Sequence, residues 1–269
     1  MTDVPPPNVP GSTPPPPPPG ATPIPPPPPA NLTPPPGYTA YNTAPTPAQP
    51  LSRVKGLSTA IVVLTALAGL GAIVTALTTP SATDSANDFL AGRISEDQFL
   101  DDYAAFGLMQ GVQGIATLAT AVLTMIWLYR VASNLRKLGR ATTWAPIWAV
   151  FGWILPPVLI IIPFLMVREV WKASTTDAQG ASWKQAPENP MIWAWFVVYG
   201  LVPTVISAIS LNATFGAGFS QDTDSLADTL NDFGSIQIIG SVFTVIAAIT
   251  WIIVVRQLTG RHTKFTHES

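Results

Sequence analysis

The basic residues of this 269-residue chain are sorted along the sequence. Twelve of its 13 Lys and Arg residues lie in four clusters, and long apolar segments separate those clusters. A lipid bilayer produces this pattern because Lys and Arg are retained on its cytoplasmic side. Only 10% of the residues are charged, against roughly 25% in an average soluble domain. The pattern therefore predicts a multi-pass protein of the cell membrane.

Five apolar segments are long enough to cross a bilayer as helices, which takes about 20 residues. They are 57–79, 104–129, 145–167, 191–213 and 235–255. None of them contains Asp, Glu, Lys, Arg or His. Glycines in the first two segments predict that these helices pack closely, namely Gly69, Gly71, Gly111 and Gly114.

The positions of the cations indicate how many segments cross. If all five crossed, six cations would lie inside the cell and seven outside. If 145–167 returns to the side that it left, 12 lie inside and only Arg93 lies outside, which the positive-inside rule favours. We therefore predict an all-α membrane protein with four transmembrane helices, one re-entrant helical hairpin at 145–167, and N- and C-termini in the cytoplasm.

Pro156 and Pro157 are the predicted turn of the re-entrant segment, because proline lacks a backbone donor and disfavours helix before it. The halves 145–155 and 158–167 each reach roughly half of the ~30 Å hydrocarbon core at about 1.5 Å per residue. A full span that is kinked at these two prolines is the alternative.

Proline dominates the N-terminal part of the chain, where residues 1–50 hold 22 of the 30 prolines. Such a segment forms neither helix nor sheet, so we predict a disordered, polyproline II-rich cytoplasmic tail at 1–52. The membrane domain follows at 53–259, and a cytoplasmic C-terminal tail occupies 260–269. Polyproline II segments bind aromatic grooves, which makes a protein partner for the tail a reasonable hypothesis. A plain solvated spacer is the alternative.

The stretch from Arg130 to Trp171 carries the most distinctive residues. It resembles an uncharacterised bacterial membrane family that is known only as a domain of unknown function. The matching positions are Trp148, Trp153, Pro156, Pro163, Arg168, Glu169 and Trp171. Val158 and Leu159 stand where the family has Asn, so the resemblance implies no polar role at that turn. It covers roughly residues 55–262 and implies a Pro-rich tail with about four membrane helices, but no activity.

Four arginines near the cytoplasmic boundary are candidate contacts for an anionic lipid or ligand: Arg130, Arg136, Arg140 and Arg168. Ordinary charge anchoring at the membrane surface is the alternative. Arg130 and Lys137 share a face of a helix that extends past the membrane, and Glu169 could pair with either cation.

Other residues give smaller expectations. Eight of the nine tryptophans fall near the predicted cytoplasmic boundary, which is typical of an interfacial Trp belt. Each of the two outer connections could form a short amphipathic helix, and Ser95 with Gln98 fits the capping box of the first. His262 and His267 lie in a polar tail without a partner pattern.

The sequence contains no recognisable catalytic, metal, cofactor or nucleotide motif, and it has no Cys. A net charge of −2 without a basic stripe argues against nucleic-acid binding. We therefore expect a non-enzymatic envelope module, structural or interacting, that presents its Pro-rich arm in the cytoplasm. Its expected partners are the lipid bilayer, a protein that binds the arm, and a second copy of the chain. A small channel or transporter that uses the re-entrant segment is the alternative function.

Overall fold

The computed structural model describes residues 50–154, 161–176, 182–202 and 222–268. The α-helices in these ranges are α1 (Lys55–Leu90), α2 (Glu96–Lys137), α3 (Trp148–Phe151), α4 (Ile161–Ala173), α5 (Pro190–Trp195) and α6 (Thr223–Thr266). A 3-10 helix (Ser182–Gln185) precedes α5, and a π-helix (Phe196–Leu201) continues it. The Pro-rich segment 1–49 and the predicted turn at Pro156 and Pro157 lie outside the described residues.

Three of these helices, α1, α2 and α6, are long and apolar enough to cross a membrane. They contain the predicted spans 57–79, 104–129 and 235–255. Large apolar side chains on their outer faces are exposed, such as Leu70 at 60% and Ile115 at 71%, as expected where lipid replaces water. The fourth predicted span, 191–213, is described only as far as residue 202, as the shorter apolar helix Pro190–Leu201.

Helix α1 packs against both α2 and α6 along a face of small residues. A Cβ atom on Gly69 would lie 3.2 Å from the Cβ of Ala248 in α6, and one on Gly71 would lie 3.0 Å from that of Gln113 in α2. The predicted close packing is therefore found at these two glycines. At Gly111 and Gly114 an added Cβ would meet none of the described residues within 4 Å, so close packing at these two glycines stays a prediction.

The acidic end of the three long helices carries ten carboxylates: Asp84, Asp88, Glu96, Asp97, Asp101, Asp102, Asp222, Asp224, Asp228 and Asp232. Gly92 adopts a φ of 67° that lets the chain leave α1 and turn into α2. The Ser95 hydroxyl accepts a hydrogen bond from the Gln98 amide at 3.3 Å, so the predicted cap is confirmed. It caps α2 itself, and the predicted separate amphipathic helices are instead the first turns of α2 and α6.

The opposite end of these helices, the basic end, is formed by residues 50–55, 130–144, 168–176, 182–189 and 256–268, where 12 cations lie. Tryptophans near this end are more buried than an interfacial belt requires. Trp127, Trp195 and Trp251 are at most 6% exposed, and the last two lie 4.5 Å apart between ring centroids. These rings fill the protein core, so the belt interpretation is wrong for them.

Candidate functional site at the basic end

Asn134 fixes the chain that precedes α1 to the last turns of α2. Its side chain is fully buried, although asparagine is usually exposed. Its Oδ1 accepts from the Ser52 amide at 2.8 Å, and its Nδ2 donates to the Ser52 carbonyl at 2.8 Å. A backbone amide only donates and a carbonyl only accepts, so this pair sets the orientation of the Asn134 amide.

His262 joins the same network from α6. The ring is fully buried, with Nε2 3.3 Å from Asn134 Nδ2 and Nδ1 3.3 Å from Ser174 Oγ. Because the Asn134 nitrogen is a donor, Nε2 of His262 must accept, and the ring proton must be on Nδ1. The histidine is therefore neutral and donates its Nδ1–H to Ser174. Residues 52, 134, 174 and 262 are thus joined through four separate parts of the chain.

Burial keeps His262 neutral. The residue lies past the apolar segment 235–255, and removal of its ring from water lowers its pKa to about 4, against an opposing effect from Glu268. The proximity of Ser174 to a histidine is also the arrangement of a nucleophile and its base. Here the imidazole donates to the hydroxyl, and both side chains are fully buried. The geometry is therefore that of a structural hydrogen-bond network.

Glu268 holds the first turn of α1 from the other end of the chain. Its carboxylate accepts from the amide of Val54 at 3.0 and 3.1 Å and from that of Lys55 at 3.1 Å. The first amides of a helix have no partner within the helix, and the helix dipole favours a negative charge there. Lys137 adds a third contact, because its Nζ donates to the Pro50 carbonyl at 2.9 Å.

Arg140 bridges the end of α2 and the residue that follows α4. It is only 8% exposed, its Nη2 donates to the Thr175 carbonyl at 2.9 Å, and its guanidinium lies 4.8 Å from the ring centre of Phe265. Arg136 donates to the hydroxyl and carbonyl of Thr142 at 3.1 and 3.3 Å. Arg130 donates to the carbonyl of Arg53 at 3.2 Å.

Arg168 forms a different ionic cluster at the same end. Its Nε and Nη2 donate to both carboxylate oxygens of Glu188 at 2.6 and 2.5 Å, and Lys172 Nζ lies 2.7 Å from the same carboxylate. The hydrogen bond from Arg168, followed by that from Lys172, lowers the pKa of Glu188 to about 2. Trp171 donates its Nε1–H to the Pro187 carbonyl at 3.1 Å, so α4 is bound to residues 187–188.

A cavity of about 210 Å³, with both apolar and charged lining residues, lies beside this cluster. The chain contributes to it from three places: residues 143–144, α4 and the 3-10 helix. Its lining residues are Thr143, Trp144, Leu165, Arg168, Glu169, Lys172, Trp183 and Lys184. The Lys184 ammonium lies 5.7 Å from the ring centre of Trp183.

Residues 96–260 match the family model DUF4328, which is described as a domain of unknown function. The match covers more than half of the chain. The chain belongs to the DUF4328 family. The match includes the Trp- and Pro-rich stretch that carried the sequence resemblance, and it confirms the resemblance to an uncharacterised family. No curated protein and no solved structure matches the chain.

The DUF4328 chain distributes its four predicted anion-contacting arginines among different partners. Arg130, Arg136 and Arg140 each bond to backbone carbonyls, and Arg136 also bonds to a hydroxyl. Arg168 is the member of this set that lines the cavity beside α4, where Lys172 and Lys184 accompany it. Anionic lipid contact at these arginines stays a prediction.

Two residues of the DUF4328 site differ from what the sequence indicated. Glu169 does tie the region around α4 to the chain after α2, but it accepts from the amides of Thr143 and Trp144 at 2.6 and 3.1 Å rather than pairing with Arg130 or Lys137. The residues expected to form a C-terminal tail continue α6 to Thr266, and His262 among them is buried with two partners. No sequence signal indicated that contact, because a single histidine has no periodicity.

Proposed function

We propose that this DUF4328 protein is a non-enzymatic membrane anchor that holds the base of a Pro-rich cytoplasmic arm at a fixed place on the basic end. The observation that carries the proposal is the hydrogen bonding of the backbone at residues 50–55. Pro50, Ser52, Val54 and Lys55 are each hydrogen-bonded through the backbone to side chains of α2 or to Glu268. The contacts of Ser52 and Val54 are partly buried, and a polar group that is removed from water costs free energy unless it is paired. A chain that only needed to trail from the membrane would gain nothing from them.

The re-entrant arrangement is part of this proposal, and contacts at both ends of the segment 145–167 support it. The Thr143 and Trp144 amides, just before the segment, bond to Glu169, just after it. Arg140 also reaches the Thr175 carbonyl. Gly152 belongs to the first half of the segment and Ile162 to the second. A Cβ on Gly152 would lie 2.7 Å from the Ile162 side chain, so the two halves are in contact there. A chain that crossed a membrane between residues 144 and 169 would separate these pairs by about 30 Å.

A fourth crossing is also part of the proposal, and contacts on either side of 190–222 support it. Asn189 donates to Gln257 at 2.7 Å, near the basic end of α6, whereas Thr223 donates to Glu96 at 2.6 Å, at the acidic end. Gln257 and Thr223 lie on one helix and are separated by about 50 Å at 1.5 Å per residue. The positions of Asn189 near the basic end and Thr223 at the acidic end therefore support a crossing between them. With the cations placed inside by the positive-inside rule, both termini are cytoplasmic.

Cysteine accessibility tests the topology, since the chain has no natural Cys. In intact cells, a membrane-impermeant maleimide is expected to label Ser225→Cys, and to label Pro45→Cys and Ala178→Cys only after permeabilisation. Labelling of position 178 from outside would reject the re-entrant arrangement. Labelling of position 45 from outside would reject the cytoplasmic arm.

Site-specific photocrosslinking tests the anchor function. A photoreactive amino acid at Tyr38, in the full chain in its native membrane, is expected to give discrete protein adducts. Replacement of Pro25–Pro29 by Gly and Ser should remove them, because the pre-extended backbone that lowers the entropic cost of docking is then lost. An unchanged adduct pattern in that variant, or no adducts in either protein, would contradict an interaction role for the arm.

A channel or transporter remains the second candidate because of a cavity among α1, α2 and α6. It measures about 110 Å³ and is lined by Thr, Ala and aromatic side chains, including Trp153, Tyr199 and Trp251. Its described lining carries no charged group, so the cavity suits an uncharged solute rather than an ion. Reconstituted protein that releases no small neutral solute from vesicles would remove this candidate.

A further inference from the structure

Three cations line the cavity next to α4, and a carboxylate holds two of them in place. Glu188 holds Arg168 and Lys172 in place through hydrogen bonds of 2.5 to 2.7 Å. Lys184 lines the same cavity, with its ammonium 5.7 Å from the ring centre of Trp183 and its carbonyl 3.5 Å from Lys172 Nζ. Side chains that are held in this way lose little conformational entropy when a ligand binds.

The charge balance of this cavity favours an anion. Arg168, Lys172 and Lys184 face two carboxylates, those of Glu188 and Glu169. Glu169 already accepts from two backbone amides, and Glu188 accepts from Arg168 and Lys172. Three cations and two carboxylates leave one net positive charge at the cavity. Among the described residues, the neighbour of the Lys184 ammonium is the ring of Trp183.

The position of the cavity relative to the apolar segment indicates what kind of anion fits. Leu165 belongs to the apolar segment 145–167. Arg168 and Lys172 lie about one turn and two turns of α4 after Leu165, just past the end of that segment. Trp144, which is half-buried, supplies an amphipathic ring of the kind that prefers the headgroup level of a membrane. The buried Trp183 also lines the cavity. Apolar lining on one side and cations on the other match a phospholipid, whose phosphate lies next to its acyl chains.

We propose that this cavity binds the phosphate-bearing headgroup of an anionic membrane phospholipid, with Arg168, Lys172 and Lys184 around the anion and Trp144 and Trp183 as walls. Because residues 143–144, α4 and the 3-10 helix all line the cavity, the bound lipid stabilises their association. This inference does not depend on the Pro-rich arm, so the two proposals fail separately.

Lipid titration of the delipidated full-length protein in mild detergent, followed by native mass spectrometry, tests the site. Phosphatidylglycerol is expected to bind about tenfold more tightly than phosphatidylcholine with the same chains. Lys184→Gln should reduce that preference about fivefold, and Lys172→Gln with Lys184→Gln should abolish most of it. Lys264→Gln is the matched control, because Lys264 is an exposed cation of the basic end that does not line the cavity. An equal loss in the control, or no preference in the natural protein, would overturn the proposal.

Hydrogen exchange distinguishes a lipid from a soluble phosphate and locates the site. Phosphatidylglycerol should slow the exchange of amides in 143–144 and 182–186, and sn-glycerol 3-phosphate at the same concentration should not. Equal protection by glycerol phosphate would assign the cavity to a soluble phosphate and refute the lipid. If the lipid slows exchange only outside 143–144 and 182–186, it binds elsewhere, and the proposed site is refuted. The single variant Lys184→Gln should reduce the protection by phosphatidylglycerol. Lys184 is exposed and takes no part in the Glu188 ion pairs, so its replacement leaves that cluster intact.

Discussion

The carboxylate of Glu268 accepts hydrogen bonds from the backbone amide of Val54, 214 positions earlier in the chain. The same carboxylate reaches the Lys55 amide at 3.1 Å. The end of the described chain therefore completes the first turn of α1. This relationship joins the two ends of the membrane part of the protein.

Glu268→Ala should destabilise the protein by about 1 kcal/mol, the usual effect of losing a helix N-cap. Glu268→Gln should cost less, because the amide oxygen still accepts from Val54 although its charge no longer favours the helix dipole. Thermal unfolding in detergent measures both effects, and faster hydrogen exchange of the Val54 and Lys55 amides should accompany them. Equal stability of all three proteins would contradict the capping role.

Acidification should weaken the network around His262. The pKa of this histidine is lowered to about 4 in the folded protein, whereas an unfolded chain takes up the proton near its ordinary value of about 6.5. The stabilisation is therefore complete above about pH 6.5 and is lost as the pH falls toward 4. Between pH 7 and pH 5 the loss from this group should be about 2 kcal/mol.

His262→Gln provides the comparison, because its side chain does not titrate. The variant should be less stable at pH 7, but its stability should fall less steeply between pH 7 and pH 5 than that of the natural protein. Denaturant unfolding at a series of pH values measures both slopes. Parallel curves for the two proteins would show that His262 does not stay neutral on folding.

Replacement of Gly71 should disrupt the contact between α1 and α2. A Cβ there would lie 3.0 Å from Gln113, so Gly71→Leu should cost about 1 to 3 kcal/mol through overpacking. Gly114→Leu is the matched control in α2, since an added Cβ at that position meets no described residue within 4 Å. Both substitutions change helix propensity alike, so the difference between their melting temperatures reports the contact. Equal melting temperatures would contradict it.

Glu188→Gln should loosen residues 182–189 from α4. The amide cannot pair with Arg168 and Lys172 as the carboxylate does, and both cations then lose their shared partner. Faster hydrogen exchange in 182–189, with little change in α1 and α2, is the expected result. Asp101→Asn, at an exposed carboxylate of the acidic end, should leave exchange in 182–189 unchanged. A protected loop in Glu188→Gln would show that Trp171 and its bond to Pro187 suffice.

Features that repeat along the chain were predictable from sequence. Apolar segments identified the cores of α1, α2 and α6. The position of Ser95 before Gln98 predicted a helix start, although for a separate short helix rather than for α2. The helices nevertheless extend beyond the apolar segments, since helix α2 runs 42 residues from Glu96 to Lys137. Membrane thickness limits the apolar part of a helix and places no limit on its polar extensions.

Contacts between distant single residues could not be predicted in this way. Asn134, Ser174 and His262 are separated by tens of residues, and none belongs to a repeated pattern. Glycine composition was also ambiguous, because Gly71 contacts a neighbouring helix, whereas Gly114 contacts none in the part of the chain that the structure describes. Which face of a helix meets protein depends on the rotation of the packed helices, and composition does not encode it.

The helix at the centre of the membrane part, α1, lies outside the region 96–260 that defines the family match. A truncated protein that began at residue 96 would lack the surface on which both α2 and α6 pack, and Asn134 would lose its Ser52 partner. Fragments for expression or for swaps between family members should therefore begin before Pro50, so that the first membrane helix remains with its neighbours.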